Sequence, residues 1–246
     1  MDRLLYLSMS AAQNTMQAQS VNSHNLANVS TPGFRADLSR FISVPVAGEG
    51  FESRVYASQT TPGFNADGGA IQQTGNPLDV AIEGEGYIAI RRTDGSEGYT
   101  RAGDFRINSV GMLETGGGHA VLGNGGPIVI PPSEKIEIGS DGTITIRPLG
   151  QDAATLATVN RIKLVRPDSA NLQKATDGQL VLKDGSVAAP DASVRVTSGT
   201  LESSNVNMVE ALVDMISLAR QFEINIKAMQ TVKENDESAA QMLRIS

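Results

Sequence analysis

The stretch "VNSHNLANVSTPGFRAD", Val21 to Asp37, sets the first limit on the fold, because a helical pattern runs into it and cannot continue through it. Pro32 has no backbone N–H and pushes Thr31 toward extended geometry, while Gly33 supplies conformations that few residues tolerate. Upstream, Leu5, Met9, Ala12, Met16 and, after polar Gln19 and Ser23, Leu26 fall in alternating steps of four and three. Such heptad spacing predicts an amphipathic helix, packed either on its own domain or along a seam with another helix. The chain therefore starts as helix and must then become something else.

The far end repeats the pattern. Met208, Leu212, Met215, Ala219, Phe222, Ile226 and Met229 are again spaced by four and three, interrupted at Lys233 and Asp236 before Ala240 and Leu243. Asn207 with Glu210 after it makes a capping-box start, and no Gly or Pro follows before Ser246. Isolated heptad helices are marginal in water because packing of the apolar stripe supplies most of their stability. The two terminal helices are expected to pair, and apolar surface left over would need neighbours.

Between them the pattern changes twice. Residues 37–75 mix short apolar pieces with turn residues, including "VPVAGEGF" and a second "TTPGF" at Thr60 to Phe64, and read as an extended linker. From Asn76 to Thr200 the runs are short, β-branched and alternating, as in "PLDVAIEGEGYIAIRR" and "KIEIGSDGTITIRP". Asp-Gly pairs at Asp94, Asp141, Asp177 and Asp184 fit tight hairpin turns, and Pro148 to Thr158 reads as a surface loop. The predicted class is α+β, with long N- and C-terminal helices pairing as a coiled coil and a central all-β domain of short antiparallel strands. Expected limits are 1–36 for the first helical segment, 37–75 for the linker, 76–203 for the β domain and 204–246 for the last helix.

Composition narrows the function classes. The chain carries 27 acidic against 20 basic residues and only 4% aromatics, so it repels phosphate backbones and lacks stacking platforms for single strands; no nucleic-acid partner is expected. No apolar run approaches the ~20 residues of a membrane span, so direct membrane insertion is not expected. The first twenty residues lack a continuous apolar core followed by a small-residue cleavage site, which points to the cytoplasm or to export without a cleaved signal.

Candidates for chemistry are few. The chain has no Cys, and its two histidines, His24 near the helix end and His119 in a Gly-rich loop, sit in different segments, so zinc sites and nucleophile–His arrangements have no material. Glu83 and Glu85 in "IEGEGY" could be paired as glycosidase carboxylates, but interleaved Gly points to a bend instead. "GGGHAVLGNGGP" lacks a Lys-Ser/Thr pair and runs into a strand, so it is no phosphate cradle. No catalytic, cofactor-binding or metal-ligating residue is expected, and no cofactor. What stands out is Asn22, Asn25, Asn28, Asn205 and Asn207, which either fray helix ends or fix register where helices meet.

Three blocks carry a resemblance. "NLANVSTPGF" at Asn25 to Phe34, "TGNPLDVAIEGEGYIAI" at Thr74 to Ile90 followed by "YTRAGDFRINSVGML", and "GTLESSNVNMVEALVDMISLARQFEINIKAMQT" at Gly199 to Thr231 resemble the signatures of the bacterial flagellar rod and hook protein family, in the family's order. Within that family, length and the start of the chain look most like proximal rod members, with distal rod members as rivals and a non-flagellar tube or adhesin protein of the same helix–β–helix order as the remaining alternative.

The resemblance implies a structural subunit, not an enzyme, of the periplasm-spanning rod of the flagellar basal body. It implies export through the flagellar type III apparatus and assembly with other rod proteins and copies of itself into a hollow helical tube that transmits torque and conducts exported subunits. Terminal helices would form the inner coiled-coil layer and the β domain would lie outside it, with Pro32 and Gly33 turning the chain from one to the other. The expected assembly residues are Leu5, Met9, Ala12, Met16, Asn25, Leu26 and Asn28 on the first helix, and Met208, Leu212, Met215, Ala219, Phe222, Ile226 and Met229 on the last. Among these Leu212, Met215 and Phe222 are expected to matter most.

Overall fold

The computed structural model describes residues 2–45, 55–59, 63–148, 150 and 156–245. Turn residues expected at 46–51 and 60–62, the middle of the loop at 149 and 151–155, and the side chain of Leu243 lie outside the described residues. The fold is α+β, with a helix at each end of the chain and antiparallel strands between them. By packing, the chain divides into a helical unit of residues 1–27, 37–63 and 206–246 and a β unit of residues 28–36 and 64–205.

Two helices make the helical unit: α1, Asp2–Ala27, and α2, Met208–Ile245. They lie along each other, with the start of α2 beside the end of α1. Asn207 caps α2, its side-chain oxygen accepting from Val209 N–H at 3.0 Å, and Glu210 adds a negative charge in the first turn, where the helix dipole favours it. A hairpin completes the unit, Phe41–Pro45 pairing antiparallel with Val55–Gln59, and the Asn14 amide of α1 donates to the Ala57 carbonyl at 3.0 Å. The predicted linker is thus partly a hairpin packed on α1.

The β unit contains, among the described residues, a nine-stranded sheet, a three-stranded sheet at Ser133–Ile138, Thr143–Pro148 and Ala157–Arg161, and smaller antiparallel pairs. Tyr87–Arg91 sits in the middle of the large sheet, and its successive side chains point to opposite faces. Ile88 and Ile90 point into one apolar cluster with Leu113, Val121 and Ile128, while Tyr87 and Ala89 point into another with Tyr99, Val165 and Leu180. Both faces of this strand are buried, as its unbroken apolar sequence requires.

The four Asp-Gly pairs do sit at turns, but in a different form from the mirror-image hairpin turns their sequence suggests. No non-Gly residue has positive φ among the described residues, so only the Gly is left-handed, as at Gly142 with φ +81°. Each Asp instead caps the turn with its carboxylate, which accepts from the backbone N–H two residues on, for example Thr143 onto Asp141 at 3.1 Å.

Candidate assembly interface

Burial marks which positions of each helix are covered within the helical unit. On α2 Ala211 and Val232 are buried, and Met215, Leu218, Ala219, Phe222, Asn225, Ile226 and Met229 are among the half-buried positions. Among the described side chains of α1, Ser8, Ala12 and Thr15 are buried. Small residues let the backbones approach, and the Thr15 hydroxyl avoids a burial penalty by donating to the Ala11 carbonyl at 2.8 Å. Asn22 fixes the register by donating its amide to the Ala211 carbonyl of the other helix at 2.7 Å.

Of the predicted assembly residues, Ala12 is buried in this seam, and Leu5, Asn25, Leu26, Met215, Ala219, Phe222, Ile226 and Met229 are half-buried in the helical unit. Met9, Met16, Met208 and Leu212 are exposed, Met16 to 58%. Asn25 instead holds the chain after the turn: its amide donates to the Asp37 carbonyl at 2.9 Å and its oxygen accepts from Asp37 N–H at 2.7 Å. His24 Nδ1 lies 2.6 Å from the Asp37 carboxylate, a structural pairing. α2 also carries a second apolar side. Val209, Val213, Ile216 and Ile224 form a second stripe, exposed between 56% and 70%, and a period of 3.5 fits either frame.

Residues 28–36 pack with the β unit, and their partners were not legible in the motif. Asn28, half-buried, accepts the Thr31 N–H on its carbonyl at 3.2 Å, which closes the turn before Pro32. Gly33 has φ +65° and donates to the Glu202 carbonyl at 2.8 Å; a Cβ there would sit 2.2 Å from the Arg101 backbone carbonyl carbon. The next residues tie the inbound chain to the outbound chain. Ala36 N–H donates to the Asn205 side-chain oxygen at 2.7 Å, and the Asn205 amide donates to the carbonyls of Asn65 and Asp67 at 3.1 and 2.9 Å.

Beneath this clamp lies a buried ionic triad. Glu202 is flanked by Arg35 Nη2 at 2.7 Å and Arg101 Nη1 at 3.0 Å, and its Oε1 also accepts from Gly69 N–H at 2.9 Å. Arg101 further donates to the Gly84 carbonyl at 2.7 Å and stacks over the Tyr87 ring. Burial pushes the Arg101 guanidinium below the usual arginine range, and Glu202 opposes that shift. Lys174 closes the site from outside, donating to the Arg35 carbonyl at 2.9 Å over the Phe34 ring. No period or spacing announces three residues this far apart; only the charges inside otherwise apolar or turn-like blocks were visible.

Glu85 is exposed and paired with Arg166, and Glu83 ends a strand facing Thr197, so the two carboxylates stand in structural pairings. Among the described residues no group of three or more His, Asp or Glu could hold a metal ion, and no helix is long and apolar enough to cross a membrane.

Comparison with known proteins matches each part of this arrangement. Residues 5–35 match the family described as Flagella basal body rod protein, residues 81–146 the Flagellar hook protein FlgE/F/G D1 domain, and residues 197–242 the Flagellar basal body rod FlgEFG protein C-terminal family. The chain is 42% identical to the flagellar basal-body rod protein FlgF of Salmonella typhimurium, over all of both chains, and equally so to that of Escherichia coli. It is 31% identical to the rod protein FlgG of Bacillus subtilis over 94% of this chain and 96% of that one. By these matches the chain belongs to the flagellar basal-body rod protein family, a family of structural subunits and not of enzymes, and it is most like FlgF.

Proposed function

We propose that the chain is a proximal rod subunit that enters the tube through the exposed faces of its two helices. There it contacts copies of itself and other rod proteins, having passed through the flagellar type III export apparatus without signal cleavage. One observation carries this reading: α1 and α2 pack on each other through one apolar frame and leave a second open, at Met9 and Met16 on α1 and at Val209, Val213 and Ile216 on α2. Large exposed apolar stripes on a soluble subunit mark interaction surfaces. In the tube, these stripes extend the pair into a coiled-coil layer in which Met208 and Leu212 become covered. Non-identical surfaces that meet without closing give a helical filament, the form a torque-transmitting hollow rod needs.

The test is an Ile216→Asp variant of the full-length chain in a host lacking its own copy. A normal unfolding midpoint for the soluble protein, with the variant missing from purified basal bodies and motility lost, is expected. A motile strain with the variant in its basal bodies would overturn the reading. A distal-rod role is the second reading, favoured by the similarity to the Bacillus subtilis FlgG over nearly the whole chain. The higher identity to FlgF proteins, also over full length, favours the proximal one.

A further inference from the structure

Resting on that rod-subunit reading, the geometry of α2 points to a specific docking pair between two copies. Near its C-terminal end α2 forms, with Leu5 of α1, an apolar groove of about 550 Å³ lined by Ile226, Met229, Lys233, Asp236 and Ala240. On the opposite side of α2, about half a turn away at 100° per residue, runs the exposed stripe Val213, Ile216, Arg220 and Ile224.

The charges of the two surfaces complement each other. In the groove Lys233 lies 3.8 Å from Glu237, which leaves Asp236 without an ion pair among the described residues. In the stripe Arg220 is likewise in no ion pair among the described residues, and it stands in the middle of the apolar positions. Length complements charge. One axial offset places Val213 over Met229, Arg220 beside Asp236 and Ile224 over Ala240 at once, and it corresponds to about 24 Å of helix.

We infer that the Val213–Ile224 stripe of one copy seats in the Leu5–Ala240 groove of the next, with Arg220 against Asp236. The contact is heterologous: each copy uses its stripe upward and its groove downward and leaves one of each free, so the array stays open. Arg220 and Asp236 set direction and stagger, because an offset by one turn either way would put Arg220 beside Lys233 or lose the carboxylate.

The full-length chain carries no cysteine, so single introduced thiols report this contact alone. Ile224→Cys and Ala240→Cys variants, co-expressed in a host lacking its own copy and treated with a short bismaleimide, should give a covalent dimer that neither variant gives by itself. In the same host, Arg220→Asp and Asp236→Arg should each reduce swarm diameter at least several-fold, and the double reversal should restore most of it. Absence of the mixed dimer in motile cells, or full motility of both single reversals, would overturn the pair. Failure of the unmodified chain to restore motility would instead overturn the rod-subunit reading beneath it.

Discussion

Arg35 Nη2 lies 2.7 Å from Glu202 Oε1 with both side chains only 3% exposed, and the two residues stand at opposite ends of the β unit's sequence. Glu202 also holds Arg101, so one carboxylate serves two buried guanidinium groups. Replacing Glu202 by Gln keeps the shape and removes the charge. Breaking a buried pair from one side costs about 3–5 kcal/mol because the partner charge stays buried. Urea unfolding of the full-length variant should show a loss of that size, and a loss below about 1 kcal/mol would mean that the triad is solvated.

Asn205 gathers the inbound and outbound segments by side-chain bonds to Ala36, Asn65 and Asp67. An Asn205→Ala variant leaves those backbone groups without partners in a half-buried place, and about 2–3 kcal/mol of stability should go. Asn205→Asp keeps the acceptor for Ala36 but turns a carboxylate oxygen toward the carbonyls of Asn65 and Asp67, so its loss should be at least as large.

Gly33 combines a left-handed backbone with a close approach to Arg101. Gly33→Ala should therefore cost more than the ~1–2 kcal/mol of left-handed strain alone. Thermal unfolding followed by circular dichroism measures it. A variant as stable as the parent would show that the backbone near Arg101 yields.

The two helix frames separate by mutation. Phe222 lies on the packed side of α2 and Met16 on the open side of α1. Phe222→Ala should lower stability by about 2–3 kcal/mol, at the low end for large-to-small changes because the ring is half-buried. Met16→Ala should leave stability within about 0.5 kcal/mol, as for ordinary surface changes, yet reduce motility. Equal effects on stability would mean that both frames pack within one copy.

Tyr99 is buried and its hydroxyl accepts from Ala188 N–H; burial pushes its pKa up to about 12. The folded chain holds this proton more tightly than the unfolded one, whose tyrosine titrates near 10. Stability from this source is complete below pH 10 and is lost as pH rises toward 12, by about 2–3 kcal/mol. Unfolding midpoints between pH 9 and 12 should show the fall, and Tyr99→Phe should be less stable at neutral pH but should remove this part of the slope.

The sequence revealed elements whose signal is local and repeated. Heptad spacing placed both helices, Asn207 marked where α2 begins, and the short apolar run "YIAI" bounded by Gly and Arg marked a strand. It did not single out Ser8 and Thr15, which look polar in a pattern of apolar residues, although a hydroxyl bonded to its own helix, as that of Thr15 is to Ala11, can be buried. The hairpin was hidden because all five residues of its first strand, Phe41–Pro45, are exposed and show no inward face. The clamp was hidden for another reason: Arg35, Arg101 and Glu202 meet only through long-range folding, and a single charge in a turn block carries no period.

Gly33 donates to the Glu202 carbonyl and Asn205 to the Phe34 carbonyl, so the chain goes into the β unit and comes out of it at the same spot. A unit tied off at its neck in this way behaves as an interchangeable module. Insertions, deletions or whole replacements beyond the tie need not alter the spacing of the two strands that emerge from it. Evolution can thus enlarge or shrink the module while the bonds at Gly33, Ala36 and Asn205 keep the same exit.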